Sequence, residues 1–204
     1  MAKKVQDEAA TAGVRTAVET RHLPRPQLVE ALAAQARLHD LAVLDGELSS
    51  IDVDRALIEA VLLTSGRPAI IVPPSWSGLS FRTVLIAWDG SAASARAVND
   101  ALPLLKQASD IRILSVTGEK DLSRISPAAA VAQHLLHHGV KSAVETISAA
   151  KGDVGETLRN VASETRADLL VMGAFVHTRL RQWVLGGVTQ SMLKKSNVPL
   201  LMAH

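Results

Sequence analysis

Apolar residues along this chain gather in short unbroken runs, and between the runs they recur at helical spacing. Leu169, Leu170, Val171 and Met172 form one such run, ending at Gly173. It is too short for a helix and has no polar alternation, so it reads as a strand buried on both faces. Residues 83–88, 111–116, 142–148 and 198–203 read as four further strands. Between them Ala93, Ala97, Ala101, Leu104 and Leu105 share one helix face, with Pro103 expected to bend that helix. Residues 128–138 form a second helix, ended by Gly139 as a C-cap, residues 154–165 a third, and a fourth carries Val188, Met192 and Leu193 on its apolar side. Five strands alternating with four helices after residue 80 predict an α/β fold with a doubly wound parallel sheet.

The upstream part follows the same grammar with fewer elements. Residues 2–12 are helix-compatible with Gly13 as the cap, and residues 15–20 alternate as a strand does. Beyond the chain-breaking Pro24 and Pro26, Leu28, Leu32 and Ala36 recur at helical spacing, and residues 41–44 form a short apolar strand. Residues 52–64 predict a helix with Ala56, Ala60 and Leu63 on one face; Gly66 stops it, and residues 68–72 are a third strand. The stretch 73–80, PPSWSGLS, has the composition of a linker. The chain therefore divides into residues 1–74, a linker at 75–81 and a complete domain at 82–204.

The two parts are related by an internal repeat. Residues 13–20, GVRTAVET, align with residues 139–146, GVKSAVET, at an offset of 126; Leu41 aligns with Leu169 at 128 and Pro68 with Pro199 at 131. The order holds and the drift is loop length. The first part thus reads as a partial copy of the second, without its first strand, first helix and second strand. Those missing elements lead us to expect a longer tandem arrangement, or an internal start.

Gly173, then Gly186, Gly187, Val188 and Thr189, then Lys194-Lys195-Ser196-Asn197 and Val198-Pro199-Leu200-Leu201 resemble the carboxy-terminal part of the universal stress protein family. The resemblance extends over residues 83–204. In nucleotide-binding members the motif is a glycine, two residues, a second glycine, nine residues, a third glycine and a Ser or Thr. Gly173 and Gly186 match the first and third glycines; Val176 stands at the second and Gly187 at the Ser/Thr. The resemblance implies an adenine nucleotide alpha hydrolase-like sheet of order 3-2-1-4-5, with the ligand outside the carboxyl ends of the strands where the winding reverses. It also implies that Ala87, Trp88 and Asp89 close one side of an adenine and ribose pocket, that Val116 offers backbone contact to the base, and that Met172 and Gly173 lie opposite. Gly186, Gly187, Val188 and Thr189 would then present N–H groups and one hydroxyl to the phosphates of ATP or another adenine nucleotide, accompanied by Mg²⁺. Apart from any resemblance, a strand, a basic loop, glycines and a helix N-terminus together favour negative charge.

Val176 and Gly187 remove part of the phosphate loop, so modest binding is expected in the second part. None is expected in the first, where Asp45 occupies the place of Gly173 and a carboxylate repels phosphate. Family members pair through their final strands, so residues 69–72 and 198–202 are expected to meet as a pseudo-two-fold interface, with a homodimer as a further assembly.

Each site residue also has a plainer use. Asp89 in Asp89-Gly90-Ser91 suits a turn that caps the next helix. Gly173 and Gly186 suit backbone geometry alone. Thr189 suits an early helix position, and Arg179 and Arg181 suit a solvated basic loop as well as phosphate steering. With 48% hydrophobic residues and only five Trp and Phe together, the core must be built of Ala, Val and Leu, as in α/β layers. A net charge of +2 from 22 basic and 20 acidic residues is no nucleic-acid-binding field. The lack of cysteine excludes disulfides and thiol chemistry. No run of 18 apolar residues suggests a membrane span and no signal peptide is visible, so a cytoplasmic protein is expected. His134, His137 and His138 have no glutamate between them and read as helix-end residues facing the dipole, not as metal ligands. Neither a nucleophile elbow nor a P-loop occurs, and nothing names a catalytic base. The reading is a stress-response binding module, with two alternatives left open: a relative that binds no nucleotide and acts through its dimer surface, and a slow ATPase.

Overall fold

The computed structural model describes residues 2–46, 53–78, 81–118, 126–174, 176–179 and 182–204. Helices α1 (Ala2–Thr11) and α2 (Arg25–Ala36) precede strand β1 (Ala42–Asp45), and α3 (Val53–Thr64) leads to β2 (Ala69–Val72). Then come β3 (Thr83–Ala87), α4 (Ala92–Leu105), β4 (Asp110–Thr117), α5 (Ala128–His137), β5 (Ala143–Ser148), α6 (Val154–Glu164) and β6 (Leu169–Gly173). A hairpin of β7 (Val176–Arg179) and β8 (Gln182–Leu185), helix α7 (Gly187–Lys195) and β9 (Leu200–Ala203) complete the chain.

Seven strands form one sheet in the order β1-β2-β9-β6-β3-β4-β5. From β9 to β5 all pairs are parallel, which is the doubly wound 3-2-1-4-5 order. β1 and β2 are also parallel to each other, but β2 meets β9 antiparallel, with Ala69 opposite Met202, Ile70 opposite Leu201 and Ile71 opposite Leu200. The final strand of the second part begins at Leu200, two residues later than its sequence suggests.

Side-chain parity decides which layer each strand residue serves. Leu85, Leu114, Leu170, Met172, Leu200, Met202, Ala69 and Ile71 face a layer that includes Ile58, Val61 and Leu62 of α3, Leu158 and Ala162 of α6 and Met192 of α7. Their neighbours Val84, Ile86, Ile113, Leu169, Val171, Leu201 and Ile70 face Ala97, Val98, Ala101 and Leu105 of α4 and Val131 and Leu135 of α5. Both faces of the central strands are covered, which is why they read as continuous apolar runs.

The first part departs from expectation where the sheet ends. Residues 15–20 form no strand and are exposed. Their twin lies on β5, which pairs with β4; among the described residues no strand pairs with residues 15–20, and alternation without a partner makes no strand. β1 is an edge strand, and on the side away from α3 its Val43 is 64% exposed. The fully buried residues of α3 are Ile58, Val61 and Leu62, whereas Ala56, Ala60 and Leu63 are half-buried, Leu63 packing against the same core, and on α2 it is Ala33 and Ala36 that are buried while Leu32 is exposed. Pro103 is accommodated in the last turn of α4.

Leu201 is fully buried at the centre of the β2–β9 ladder. Leu201→Ala is expected to cost about 2–5 kcal/mol in chemical denaturation. Leu201→Asp should open the junction and accelerate limited proteolysis within residues 73–78; cleavage at the parent rate would mean that the parts hold together without this ladder.

Candidate functional site

The winding of the sheet reverses between β3 and β6, which are parallel neighbours with Ala87 opposite Met172. Their carboxyl ends therefore bring Ala87, Trp88 and Asp89 alongside Met172 and Gly173. Ala87, Val116 and Met172 belong to the same face of the sheet, and Val188 of α7 packs against that face. Trp88 contributes only its backbone here. Its N–H bonds the Leu114 carbonyl at 2.9 Å, while the indole is buried in the opposite layer and donates through Nε1 to the Ser126 carbonyl at 2.8 Å.

Asp89 shapes the turn into α4. Its Oδ1 accepts the Ser91 N–H at 3.0 Å, Gly90 takes φ +71°, and Ser91 Oγ accepts the Ser94 N–H at 3.1 Å as the N-cap. This local network fixes the first turn of α4 directly above the end of β6. A Cβ on Gly173 would lie 2.6 Å from Ser94 N and 2.8 Å from the Ala93 carbonyl carbon, so close helix packing by itself demands a glycine there.

The phosphate-side candidates sit at the start of α7. Gly186 is its N-cap and offers no side-chain acceptor, so the first-turn N–H groups of Gly187 and Val188 point out of the helix without an intrahelical carbonyl. Gly187 is exposed, and a Cβ on it would meet no atom within 4 Å. Thr189, by contrast, is buried to 1% exposure. Gln190 braces the turn, its N–H bonding the Gly186 carbonyl at 2.9 Å and its Nε2 the Leu185 carbonyl at 2.6 Å.

The basic loop expected after Gly173 is instead the β7–β8 hairpin, with Val176 opposite Leu185 and Arg179 opposite Gln182. Val176 is thus a strand residue, where a β-branched side chain is favoured. The alternation of Val176 and Thr178 with Trp183 and Leu185 around a two-residue connection carries that signal, hidden among charged neighbours. Arg181 and residues 47–52 lie outside the described residues. Just past β1, Gly46 N–H bonds the Val72 carbonyl as, just past β6, Ala174 N–H bonds the Ala203 carbonyl of β9, both at 2.8 Å, which puts Asp45 in the place of Gly173. His134 bonds Asn99 Oδ1 through Nε2 at 3.0 Å and stacks edge-on against His138. Among the described residues no three His, Asp or Glu side chains gather to hold a metal ion, and no helix is long and apolar enough to cross a membrane.

The two glycines are expected to respond oppositely to a methyl group. Gly173→Ala should cost about 1–3 kcal/mol by driving α4 from the sheet. Gly187→Ala should be neutral or stabilising by up to about 1 kcal/mol, because alanine is the better helix former. Urea titrations of the two variants check this; equal losses would contradict the packing difference.

The sequence profile of the universal stress protein family matches residues 80–204. Universal stress protein Slr1230 of Synechocystis is 28% identical over 149 residues, 72% of this chain and 50% of that protein. Universal stress protein MJ0577 of Methanocaldococcus jannaschii is 36% identical over 47 residues, 23% of this chain and 29% of that protein. The chain thus spans half or less of these curated relatives. A universal stress protein structure from Archaeoglobus fulgidus superposes on the whole of this chain and 76% of its own, with a TM-score of 0.70 at 19% identity, a likeness of fold. With the profile covering more than half of its residues, the chain belongs to the universal stress protein family.

Proposed function

We propose that this chain is a cytoplasmic stress-response module that holds an adenine nucleotide, ATP in the first instance, at the carboxyl ends of β3 and β6. The observation that carries the reading is the opening of α7. An uncapped helix start with an exposed Gly187 beside the reversal point of the sheet suits a phosphate group, since its N–H groups and the helix dipole both favour negative charge. Ala87, Val116 and Met172 share the face against which an adenine ring would lie, and Asp89 is placed at the strand end that would meet a ribose. Gly186, Gly187, Val188 and Thr189 would take the phosphate side, Thr189 through its backbone. Mg²⁺ would neutralise phosphate charge and would be held chiefly by the nucleotide. The sequence carries neither a nucleophile elbow nor a P-loop, and we read the role as binding.

The division into a partial copy at residues 1–74, a linker at 75–81 and a complete domain at 82–204 belongs to the same proposal. It is supported by matching helix ends: Gly13 (φ +70°) and Gly139 (φ +78°) cap α1 and α5, and Val14 and Val140 N–H reach back to Ala9 and Leu135 at 2.8 and 3.0 Å. The first part would bind no nucleotide because Asp45 faces the phosphate position. The exposed edge of β1 would make a homodimer the natural further assembly.

Calorimetric titration with ATP and Mg²⁺ tests the reading. One modest site is expected; Asp89→Ala should weaken it about tenfold or more, and Gly187→Ser should strengthen it by restoring a hydroxyl, each change being worth roughly 1.5–3 kcal/mol at a charged partner. No heat from the parent and none from Gly187→Ser would leave the family member that binds no nucleotide as the better account.

A further inference from the structure

A cavity of about 320 Å³ opens at the other end of the sheet, beside the amino ends of β6 and β9 and away from the nucleotide face. Its lining includes Trp76, Arg159, Arg166, Asp168, Ser196 and Asn197. Its volume falls in the range of small-molecule sites. Two guanidinium groups line this one cavity, one from α6 and one from the second residue past its end. Neither forms an ion pair among the described residues. Arg159 is steadied by donating from Nη1 to Ser191 Oγ at 2.8 Å. Trp76 is held by its Nε1 bond to the Gly78 carbonyl at 2.6 Å and is partly buried against the core. The one carboxylate of the lining, Asp168, already accepts the Arg82 and Thr83 N–H groups at Oδ2, both at 2.9 Å.

Arg166 is the informative residue. It sits at φ +51°, the left-handed position that ends α6, where its N–H bonds the Ser163 carbonyl and Ala167 N–H reaches the Ala162 carbonyl. Glycine fills the same position after α1, α3 and α5, as Gly13, Gly66 and Gly139. A side chain there costs stability that glycine would not. An arginine at a strained turn on the rim of a cavity, beside a second arginine that also lacks an ion-pair partner among the described residues, points to an anionic ligand. We propose that this cavity takes a small organic anion with a planar ring, the ring lying against the Trp76 indole and its phosphate or carboxylate gripped by Arg159 and Arg166. A guanidinium fork matches either anion, and an indole face suits an aromatic body. Because Trp76 follows β2, such a ligand would tie the connection between the two parts to α6.

The carboxyl ends of α6 and α7 face the same rim, and compensating their dipoles is the competing use of these cations. Stability separates the two. A dipole-compensating arginine stabilises the fold, whereas one kept for a ligand at a left-handed position weakens it. Phenyl phosphate is the probe, titrated calorimetrically into the whole chain, with inorganic phosphate and benzyl alcohol in separate arms. Expected are a single site for phenyl phosphate, binding about tenfold weaker or less for either fragment alone, and no change when excess ATP and Mg²⁺ are present. Arg166→Gly should raise the thermal midpoint and weaken binding about tenfold, and Trp76→Ala should weaken it similarly. The proposal is overturned by any of four results: no heat at millimolar phenyl phosphate, competition by ATP, unchanged binding in Arg166→Gly, or a lower thermal midpoint in that variant.

Discussion

The antiparallel ladder between β2 and β9 is the constraint on which the architecture rests. By themselves β1 and β2 make a two-stranded sheet, which is marginal in water. Joined to β9 through Ile70 and Leu201, they become the flank of a seven-stranded sheet and share its two helical layers. The ladder also fixes direction. Because the strands run opposite ways across it, the carboxyl end of β1 lies at the other end of the sheet from those of β3 and β6. The reversal point beside β6 is therefore formed by the second part alone, and the connection carrying Trp76 is brought back beside the amino ends of β6 and β9.

Within the second part, the next constraint is the distance between α4 and β6. Small residues, Ser94, Ala97 and Ala101, let α4 lie close to the sheet, and Gly173 admits its first turn. Asp89 and Ser91 hold that turn in place. One set of contacts thus serves both packing and site.

Much of this was legible in the sequence because burial on both faces forces unbroken apolar runs, as at residues 84–86 and 169–172. The repeat identified the two final strands, and the family resemblance supplied the expectation that they meet. What the sequence concealed depended on partners. Residues 15–20 alternate like their twin at 141–146, yet alternation makes a strand only beside another. The β7–β8 hairpin was hidden because His177, Arg179 and Arg181 make the segment look like a solvated loop. Gly173 was recognisable as a motif glycine, but its reason is the approach of Ser94 and Ala93 from 79 and more residues upstream, which spacing alone does not encode. The cavity at Arg166 gave no sequence signal, since a positive φ at an arginine is a property of the folded turn.

The central claim is a location, and amide hydrogen exchange followed residue by residue, with and without saturating ATP and Mg²⁺, tests it most directly. The account predicts slowed exchange at Gly187, Val188 and Thr189 and in the turn at Gly90 and Ser91, with no change at Gly46 on β1 or at Ser196 and Asn197 by the opposite cavity. Protection at Gly46 or Asn197, or none at the opening of α7, would contradict it.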